Sequence, residues 1–346
     1  MSIDVKAHSP ADFLAALPNL VGFDPRNSVV LVGFRDKVSC GALRLDLPTK
    51  SVTYKRAATL AVGTLSKVPR LDAVAVIICT DQPFGQSAEP PFADFAKVMM
   101  NRVTHVGFIV HSALCRAGDG WSSYRWRNRP VGGYPLSEIA ESPMAALLPP
   151  VPVADIPPMS EAARRQVAAD FAHYRRHGAF HPEFEDVPLF VELALEWTDD
   201  EFAESAALLL YLLQGPASRD AAMLQWATNL SMGDDLWATS QQPPGLDPQW
   251  DHSIGNLMLG IGPRPDHERM LQAIALLRRL VAVADVSAQP APLCMLAWLS
   301  WALGLSSVAA VHLDAVRAID PRYGMAEVLG TILGNGLLPE WAFAAT

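Results

Sequence analysis

Short apolar runs that alternate with helical stripes constrain the fold of the first 115 residues most strongly. Ser28–Phe34 reads SVVLVGF and Leu71–Cys79 reads LDAVAVIIC, and Val106–Leu114 is a third such run. Short, β-branched runs without polar alternation are typical of strands buried on both faces. Apolar residues at helical spacing in 51–68 and 92–104 lie between them. This order predicts an α/β domain with a mixed, mostly parallel sheet built through right-handed crossovers.

Two further elements complete the predicted domain. Cys40–Leu47 alternates between leucines and charged residues, which predicts a half-exposed strand near a sheet edge. Ser9 followed by Pro10 is a helix start, because serine caps a helix and proline suits its first position. We expect this first helix to end at Pro18.

The remainder of the chain is predicted to be helical. A Pro-rich linker at 149–158 separates an α/β domain, 1–148, from an all-α helical-hairpin domain, 159–346. Within the α/β domain, 116–135 is a Trp/Arg-rich loop. The patterns and caps predict helices over 160–178, 199–213, 218–231, 266–284, 291–303, 306–319 and 325–333.

Composition restricts the class of protein. Half of the residues are hydrophobic, 18% are charged and the formal net charge is −9. This composition excludes a disordered chain, and the negative charge gives no general attraction to nucleic acid or anionic lipid. No apolar stretch is long enough for a membrane span, and the N-terminus has no signal-peptide pattern. Four scattered cysteines favour reduced thiols and a cytoplasmic location.

Several segments carry a family resemblance. They are Ser9–Pro18, Gly22–Pro25, Ser28–Gly33, Trp121–Tyr124, Gly133–Leu136, Ala297–Trp298 and Asp320–Tyr323. Together they resemble the actinobacterial domain of unknown function 4192 family. The resemblance implies a bacterial cytosolic protein and supplies no activity, cofactor or catalytic residue. Members often carry cysteines after the Trp-Ser-Tyr segment, where this chain has Arg125, Arg127 and Asn128.

A second resemblance concerns the C-terminal helices. Gly304, Ala309, Leu313 and Pro321 are spaced as in the second half of a tetratricopeptide repeat, where small residues let two helices pack closely. The alternative is a plain helical hairpin that ends at an Asp-Pro pair.

The carboxyl ends of the predicted parallel strands are the first candidate site. Asp81 follows the central strand with Thr80, while His111 and Arg116 lie in or just after the last strand. Asp81 and His111 are candidate catalytic residues, because a carboxylate beside an imidazole can exchange protons with a substrate. The alternative is that Asp81 caps a turn and His111 is packed.

A histidine cluster is the second candidate. Asp170, His173 and His177 share one helix face, and His181 follows, a spacing that could hold a transition metal. The alternative is a polar helix face whose terminal histidines favour the negative end of the helix dipole. No nucleotide-binding or nucleophile motif occurs, so we predict no cofactor.

The Trp/Arg-rich loop is the third candidate, with ligand or partner contacts predicted at Trp121, Tyr124, Arg125, Trp126 and Arg127. Aromatic rings interleaved with guanidinium groups can hold single-stranded nucleic acid. They also occur in exposed hairpins, where arginine stems cover the rings. The net charge disfavours nucleic acid and favours a contact with protein or a small ligand.

Taken together, these patterns favour a protein-interaction or regulatory module with an unknown protein partner and no membrane contact. The alternative is a small-molecule-binding protein or an enzyme with its pocket at the strand ends of the α/β domain.

Overall fold

The computed structural model describes residues 7–48, 53–68, 70–147, 154–178, 186–241 and 252–342. The chain forms two compact units, Met1–Val153 and Ala154–Thr346. We refer to them as the α/β unit and the helical unit. Their boundary lies within the Pro-rich segment 149–158.

The α/β unit alternates strands and helices along the first 147 residues. Its elements are α1 (Pro10–Val21), β1 (Ser28–Arg35), β2 (Val38–Asp46), α2 (Tyr54–Leu65), β3 (Ala73–Cys79), α3 (Ala93–Val106), β4 (Ile109–Arg116), β5 (Trp121–Ser123), α4 (Ser137–Ala140) and α5 (Pro143–Leu147).

The five strands form one mixed sheet in the order β2-β1-β3-β4-β5. Only β3 and β4 pair in parallel, and the other three pairings are antiparallel. The prediction of a mixed sheet is therefore confirmed, but the prediction that it is mostly parallel is wrong. A helical crossover fixes the relative direction of the two strands that it joins, and β2 and β3 do run the same way. It does not make them neighbours, because β1 lies between them.

Each face of the sheet is covered by helices. On one face, β1 and β3 pack against α2 and α3, with Phe95 and Met99 at the centre of the core. On the other face the sheet packs against α1, through Leu14 and Leu17, with Trp121 at its margin. Burial on both faces explains why β1 and β3 have continuous apolar sequences.

Helix α1 begins as predicted and ends later than predicted. The Ser9 side chain accepts a hydrogen bond from the Asp12 backbone in a capping box. Pro18 does not end the helix, which continues to Val21. Proline removes only its own N–H donor in this last turn. The helix stops at Gly22, whose φ of 83° is accessible to glycine and whose N–H donates to the Pro18 carbonyl at 2.8 Å.

In the described residues of the helical unit all regular elements are helices. They are α6 (Glu161–His177), α7 (Val187–Leu193), α8 (Asp199–Leu212), α9 (Pro216–Ala227), α10 (Leu230–Ser240), α11 (His252–Met258), α12 (His267–Val283), α13 (Pro290–Ala302), α14 (Ser306–Ile319) and α15 (Gly324–Gly334), with short 3-10 turns at Ala194–Glu196, Val286–Ala288 and Glu340–Ala342.

Helix α13 is the centre of the helical unit. All of its residues are buried, and it contacts α9, α12, α14 and α15. It forms a hairpin with α14 through a turn at Gly304, which has a φ of 81°. Helices in a solenoid contact mainly their sequence neighbours. Helix α13 also contacts α9, which is distant from it in the chain. The tetratricopeptide-like spacing of the hairpin stays a prediction.

One predicted helix, 218–231, is in fact two. Helix α9 ends at Ala227, and α10 begins after Asn229, whose side chain accepts a hydrogen bond from the Met232 N–H at 3.1 Å. Asparagine favours this capping position because its side-chain oxygen satisfies a free helix N–H.

The four cysteines are free, and three of them are buried. Burial raises the pKa of the Cys294 thiol to about 12. Within the described ranges, no helix has the length and apolar composition required to cross a bilayer.

Candidate functional site

The carboxyl ends of β3 and β4 lie at the same end of the sheet because these strands are parallel. Asp81 comes directly after β3, and its carboxylate is held by Asn27. The Asn27 Nδ2 donates to Asp81 Oδ2 at 2.6 Å, and the Asp81 N–H donates to Asn27 Oδ1 at 3.1 Å. Asp81 is exposed, but its contacts tie the loop before β1 to the loop after β3.

Arg116, at the end of β4, fixes the same loop from the other side. Its guanidinium forms an ion pair with Asp24 at 2.6 Å and donates to the Pro25 carbonyl at 2.5 Å. Burial raises the pKa of the neighbouring Cys79 thiol to about 11, although Arg116 acts in the opposite direction. Cys79 is therefore a neutral thiol at physiological pH and a poor nucleophile.

Asp81 and His111 do not form the acid–base pair that the sequence suggested. The strand register pairs Cys79 with Arg116 and places His111 beside Val74, near the opposite end of β4. At about 3.3 Å per residue, roughly 20 Å of strand separates the two side chains. The His111 ring instead stacks on Phe34, with centroids 4.5 Å apart.

The structure brings together two regions that the sequence treated separately. The loop after β3, residues 80–92, contacts the Trp/Arg segment, residues 116–135, through Asp119. The Asp119 carboxylate accepts hydrogen bonds from the backbone N–H groups of Phe84 at 2.8 Å and Gly85 at 3.1 Å. We call the combined surface of 80–92 and 116–135 the strand-end surface.

Two more contacts fix the strand-end surface. The Tyr124 hydroxyl donates to the Pro91 carbonyl at 2.6 Å, and the Gly132 N–H donates to the Ser87 carbonyl at 3.0 Å. Gly120 is required by the close approach of the backbone, since a Cβ there would lie 2.5 Å from the Gly132 carbonyl oxygen.

An aromatic cluster forms the base of the Trp/Arg segment. The Trp121 ring lies 5.1 Å from Tyr134 and 5.7 Å from Trp126, and two backbone hydrogen bonds join Trp121 to Tyr134. Trp121 is only 3% exposed. It therefore belongs to the core and does not lie on a contact surface, whereas Trp126 is half-buried beside it.

Tyr124 also has a structural position. It is half-buried, and burial raises its pKa well above the usual value for tyrosine. Burial likewise raises the pKa of the adjacent Cys115 thiol to about 12. Neither group ionises at neutral pH, so this pair offers no nucleophile or general base.

The arginines of the segment differ in what they contact. Arg125 donates to the Val110 carbonyl at 2.7 Å, and the Arg129 Nε donates to the Trp126 carbonyl at 2.7 Å. Arg127 is exposed and, within the part of the chain that the structure describes, has no hydrogen bond or ion pair. Its guanidinium is therefore open to a ligand at the strand-end surface.

Arg127 lines an open depression of about 460 Å³, together with Ala88, Glu89, Asn128 and Arg129. A second depression of about 300 Å³ shares Glu89 and lies at the start of α3, lined by Tyr54, Ser87, Glu89, Pro90, Phe92, Ala93 and Asp94. Both are wide open to solvent, and both contain carboxylates. Their form suits the contact of an exposed polar segment better than the enclosure of an apolar ligand.

Comparison with known proteins identifies the family. A family model described as "Domain of unknown function (DUF4192)" matches residues 10–150 and 264–340. The chain belongs to the DUF4192 family. No curated protein and no solved structure matches the chain.

The two DUF4192 segments correspond to defined parts of the structure. Residues 10–150 include the whole sheet and the strand-end surface, and 264–340 include α12 to α15. Helices α6 to α11 lie outside both segments. The strand-end surface is therefore within the part of this chain that the DUF4192 family shares.

The candidate metal residues lie outside the DUF4192 segments, on α6. The rings of His173 and His177 are 4.8 Å apart, and the Asp170 carboxylate accepts a hydrogen bond from Gln166 at 2.8 Å. His181 lies outside the described residues. Within the described residues, no three His, Cys, Asp or Glu side chains are grouped so as to hold a metal ion.

Sequence reasoning missed three residues of the strand-end region. Asn27 and Asp119 lie in loops, and their side chains bridge loops that are distant in sequence. Glu89 was not singled out. Asn and Asp are enriched in turns for local reasons, so their type alone gives no signal of a long-range contact.

Proposed function

We propose that this DUF4192 protein is a protein-interaction module that binds its partner through the strand-end surface. The observation that carries the proposal is the exposure of the Arg127 guanidinium on a fixed segment. Its side chain is exposed and, among the described residues, unpaired, while the segment that bears it is fixed at both ends.

This fixed support favours binding. Asp119, Tyr124 and the Trp121–Tyr134 pairing hold the backbone on either side of Arg127. A preorganised segment loses little conformational entropy when a partner docks. Arginine is also among the residues that most often dominate the binding energy of protein interfaces.

The charges around the depression suggest the chemistry of the partner. Arg127 and Arg129 line one part of it, and the exposed Glu89 lines another. A partner segment with a carboxylate for Arg127 and a cation for Glu89 fits this arrangement. The carboxylates of Glu89 and Asp94, with the net charge of −9, disfavour a nucleic acid.

The test is crosslinking in cells that naturally contain this protein, followed by mass spectrometry. We expect Arg127→Glu to lose a protein that wild type captures, because the reversed charge repels the partner's carboxylate. Lys37→Glu is the matched control, since Lys37 lies in the β1–β2 turn at the opposite end of the sheet. Identical captured proteins for wild type and Arg127→Glu would contradict the proposal.

A small-molecule-binding or enzymatic role remains the alternative, and the polar depression beside α3 favours it. Native mass spectrometry of the purified protein separates the two. A bare mass is expected for the interaction module. An excess mass that matches a metabolite, and is lost in Glu89→Gln, would instead favour the alternative.

We also infer that the protein acts in the cytoplasm of an actinobacterium. The free cysteines, three of them buried, support a reducing compartment. The resemblance of Ser9–Pro18, Gly22–Pro25 and Ser28–Gly33 to an actinobacterial family supports an actinobacterial source.

A further inference from the structure

The two edges of the sheet are protected differently. At one edge β5 pairs with Leu114–Arg116, and Arg125 covers the next carbonyls by donating to Val110 at 2.7 Å and His111 at 3.4 Å. At the other edge lies β2, and no described strand pairs with its outer side. All nine of its residues are exposed or half-exposed. The register with β1 shifts at Cys40, so the regular part of this edge is Gly41–Asp46. An open, regular edge is a template for pairing with another strand.

The register shows which backbone groups of β2 are free. The Leu47 N–H donates to the Asn27 carbonyl, so Leu47 belongs to a hydrogen-bonded pair with β1. Backbone direction alternates along a strand. Hence the backbone N–H and C=O groups of Leu43 and Leu45 also point toward β1. Those of Ala42, Arg44 and Asp46 point outward, away from β1.

The outward residues carry opposite charges two positions apart. Arg44 contacts Asp46 of the same chain at 2.5 Å, and the Arg44 side chain is 22% exposed, whereas the Asp46 side chain is 80% exposed. Its carboxylate is therefore available for a second cation. Pro48 follows and has no N–H to donate, so pairing along this edge ends there.

We propose that β2 pairs antiparallel with β2 of a second copy of this chain, with Arg44 of each copy opposite Asp46 of the other. In an antiparallel pair, the two strands must hydrogen-bond through backbone groups that face each other. A register is therefore allowed only if residues whose N–H and C=O groups point away from β1 lie opposite one another. Shifting the register by one step places Arg44 opposite Arg44, and a shift the other way places Asp46 opposite Asp46. Like charges directly opposite are destabilising and opposite charges are stabilising.

This register places two cation–anion pairs on one face and the half-buried Leu43 and Leu45 of both copies on the other. Each Arg44–Asp46 pair also exchanges two backbone hydrogen bonds. The interface is small compared with the roughly 1,600 Å² of a standard protein interface, so the dimer is weak and reversible. We expect dissociation in the micromolar range.

Analytical ultracentrifugation of the full-length chain tests the pairing with two charge variants. Arg44→Asp places an aspartate opposite Asp46, and Asp46→Arg places an arginine opposite Arg44. We expect each variant alone to dimerise at least about tenfold more weakly than wild type. An equimolar mixture is expected to regain dimers, because the aspartate introduced in one variant then faces the arginine introduced in the other.

The mixture separates the proposal from a simple loss of fold. Both variants also lose the contact between residues 44 and 46 within the chain, and mixing cannot restore it. Circular dichroism of each variant gives the folding control, and Lys37→Asp is the charge control outside the paired register. A monomeric wild type, or a mixture no more dimeric than its components, would overturn the proposal.

The outcome is independent of the proposed partner contact. Arg127→Glu leaves β2 unchanged, so we expect it to dimerise as wild type does. Failure of one proposal therefore leaves the other standing.

Discussion

At the scale of residues, four tryptophans connect the helical unit through their indole N–H groups. Each donates to a backbone carbonyl at or beyond the end of another helix. The pairs are Trp226 with Val191 at 2.9 Å, Trp298 with Met258 at 3.0 Å, Trp301 with Leu337 at 2.8 Å and Trp341 with Ala302 at 2.8 Å. The last carbonyls of a helix have no partner within it, so Trp226, Trp298 and Trp341 satisfy three such carbonyls.

His312 is a buried histidine, and its surroundings disfavour protonation of the imidazole. It lies in α14 and is 2% exposed, and its Nε2 atom has no hydrogen-bond partner in the described part of the chain. Burial, together with the smaller effect of the nearby Arg278, lowers the pKa of His312 to about 4. The folded protein therefore holds His312 in its neutral form at physiological pH.

The stability of the helical unit is expected to fall as pH decreases from 6.5 toward 4. In this window the unfolded chain binds a proton at His312 and the folded chain does not, so acid favours unfolding. The full shift corresponds to about 3 kcal/mol. Urea unfolding at several pH values would measure it.

His312→Gln is expected to remove this part of the pH dependence, while the exposed His173→Gln keeps it. If His312→Gln and wild type lose the same stability over the window, the explanation is wrong.

At the scale of elements, polar side chains join helices that are distant in sequence. Arg269 in α12 forms a two-point ion pair with Glu192 in α7, at 2.6 and 2.8 Å. Gln225 in α9 donates to the same carboxylate at 2.8 Å. The hydrogen bonds from Arg269 lower the pKa of Glu192 despite its partial burial. A removed partner would leave a half-buried charge unpaired, which is costly.

Gly260 connects the end of α11 to the C-terminal segment. Its φ is 82°, and a Cβ there would lie 2.6 Å from the Trp301 ring and 2.8 Å from the Pro339 Cα. Its carbonyl accepts a hydrogen bond from the Glu340 N–H at 2.7 Å. Both the backbone conformation and the close packing therefore require glycine.

Gly260→Ala is expected to destabilise the protein by about 2 kcal/mol or more, through strain and steric overlap. Gly255→Ala, five residues earlier within α11, has no atom within 4 Å of the added Cβ. It should be neutral or stabilising, by about 0.5–1 kcal/mol, because alanine favours a helix. Thermal unfolding of the two variants makes the comparison, and equal melting temperatures would contradict it.

At the scale of the whole molecule, each unit has its own hydrophobic core. The α/β core lies on both faces of the sheet, and the helical core surrounds α13. A compact unit with a separate core is expected to fold as a unit.

Residues 154–346 expressed alone should therefore fold. We expect a helical circular dichroism spectrum and a single cooperative thermal transition. The core of this unit is built from its own helices, so removal of residues 1–153 should not expose it. A non-cooperative transition, or insoluble protein, would show that the helical unit depends on the α/β unit.

The elements with the strongest periodicity were predicted well from the sequence. The strands Ser28–Arg35 and Ala73–Cys79 and the helix Asp199–Leu212 lie within two residues of their predicted bounds. Their signals are local, since β-branched runs and a capping box act over a few residues. Helix α7 was missed because it has only seven residues, too few for a clear periodic pattern.

The candidate site was predicted only in outline. Local sequence indicated the strand ends and the Trp/Arg segment, but it did not indicate that Asp119 joins them. It also assigned Trp121 to a contact surface, whereas the structure buries it. Aromatic and arginine residues occur both in cores and in interfaces, so only the packing distinguishes these roles.

The sequence by itself determined which segments form strands and helices, because backbone preference and apolar periodicity are local properties. Only the tertiary structure decided that β1 lies between β2 and β3, that His111 is far from Asp81 and that β2 is left at an open edge. These facts depend on which strands become neighbours. Neighbours are chosen by contacts between residues that are distant in sequence, and no local pattern records them.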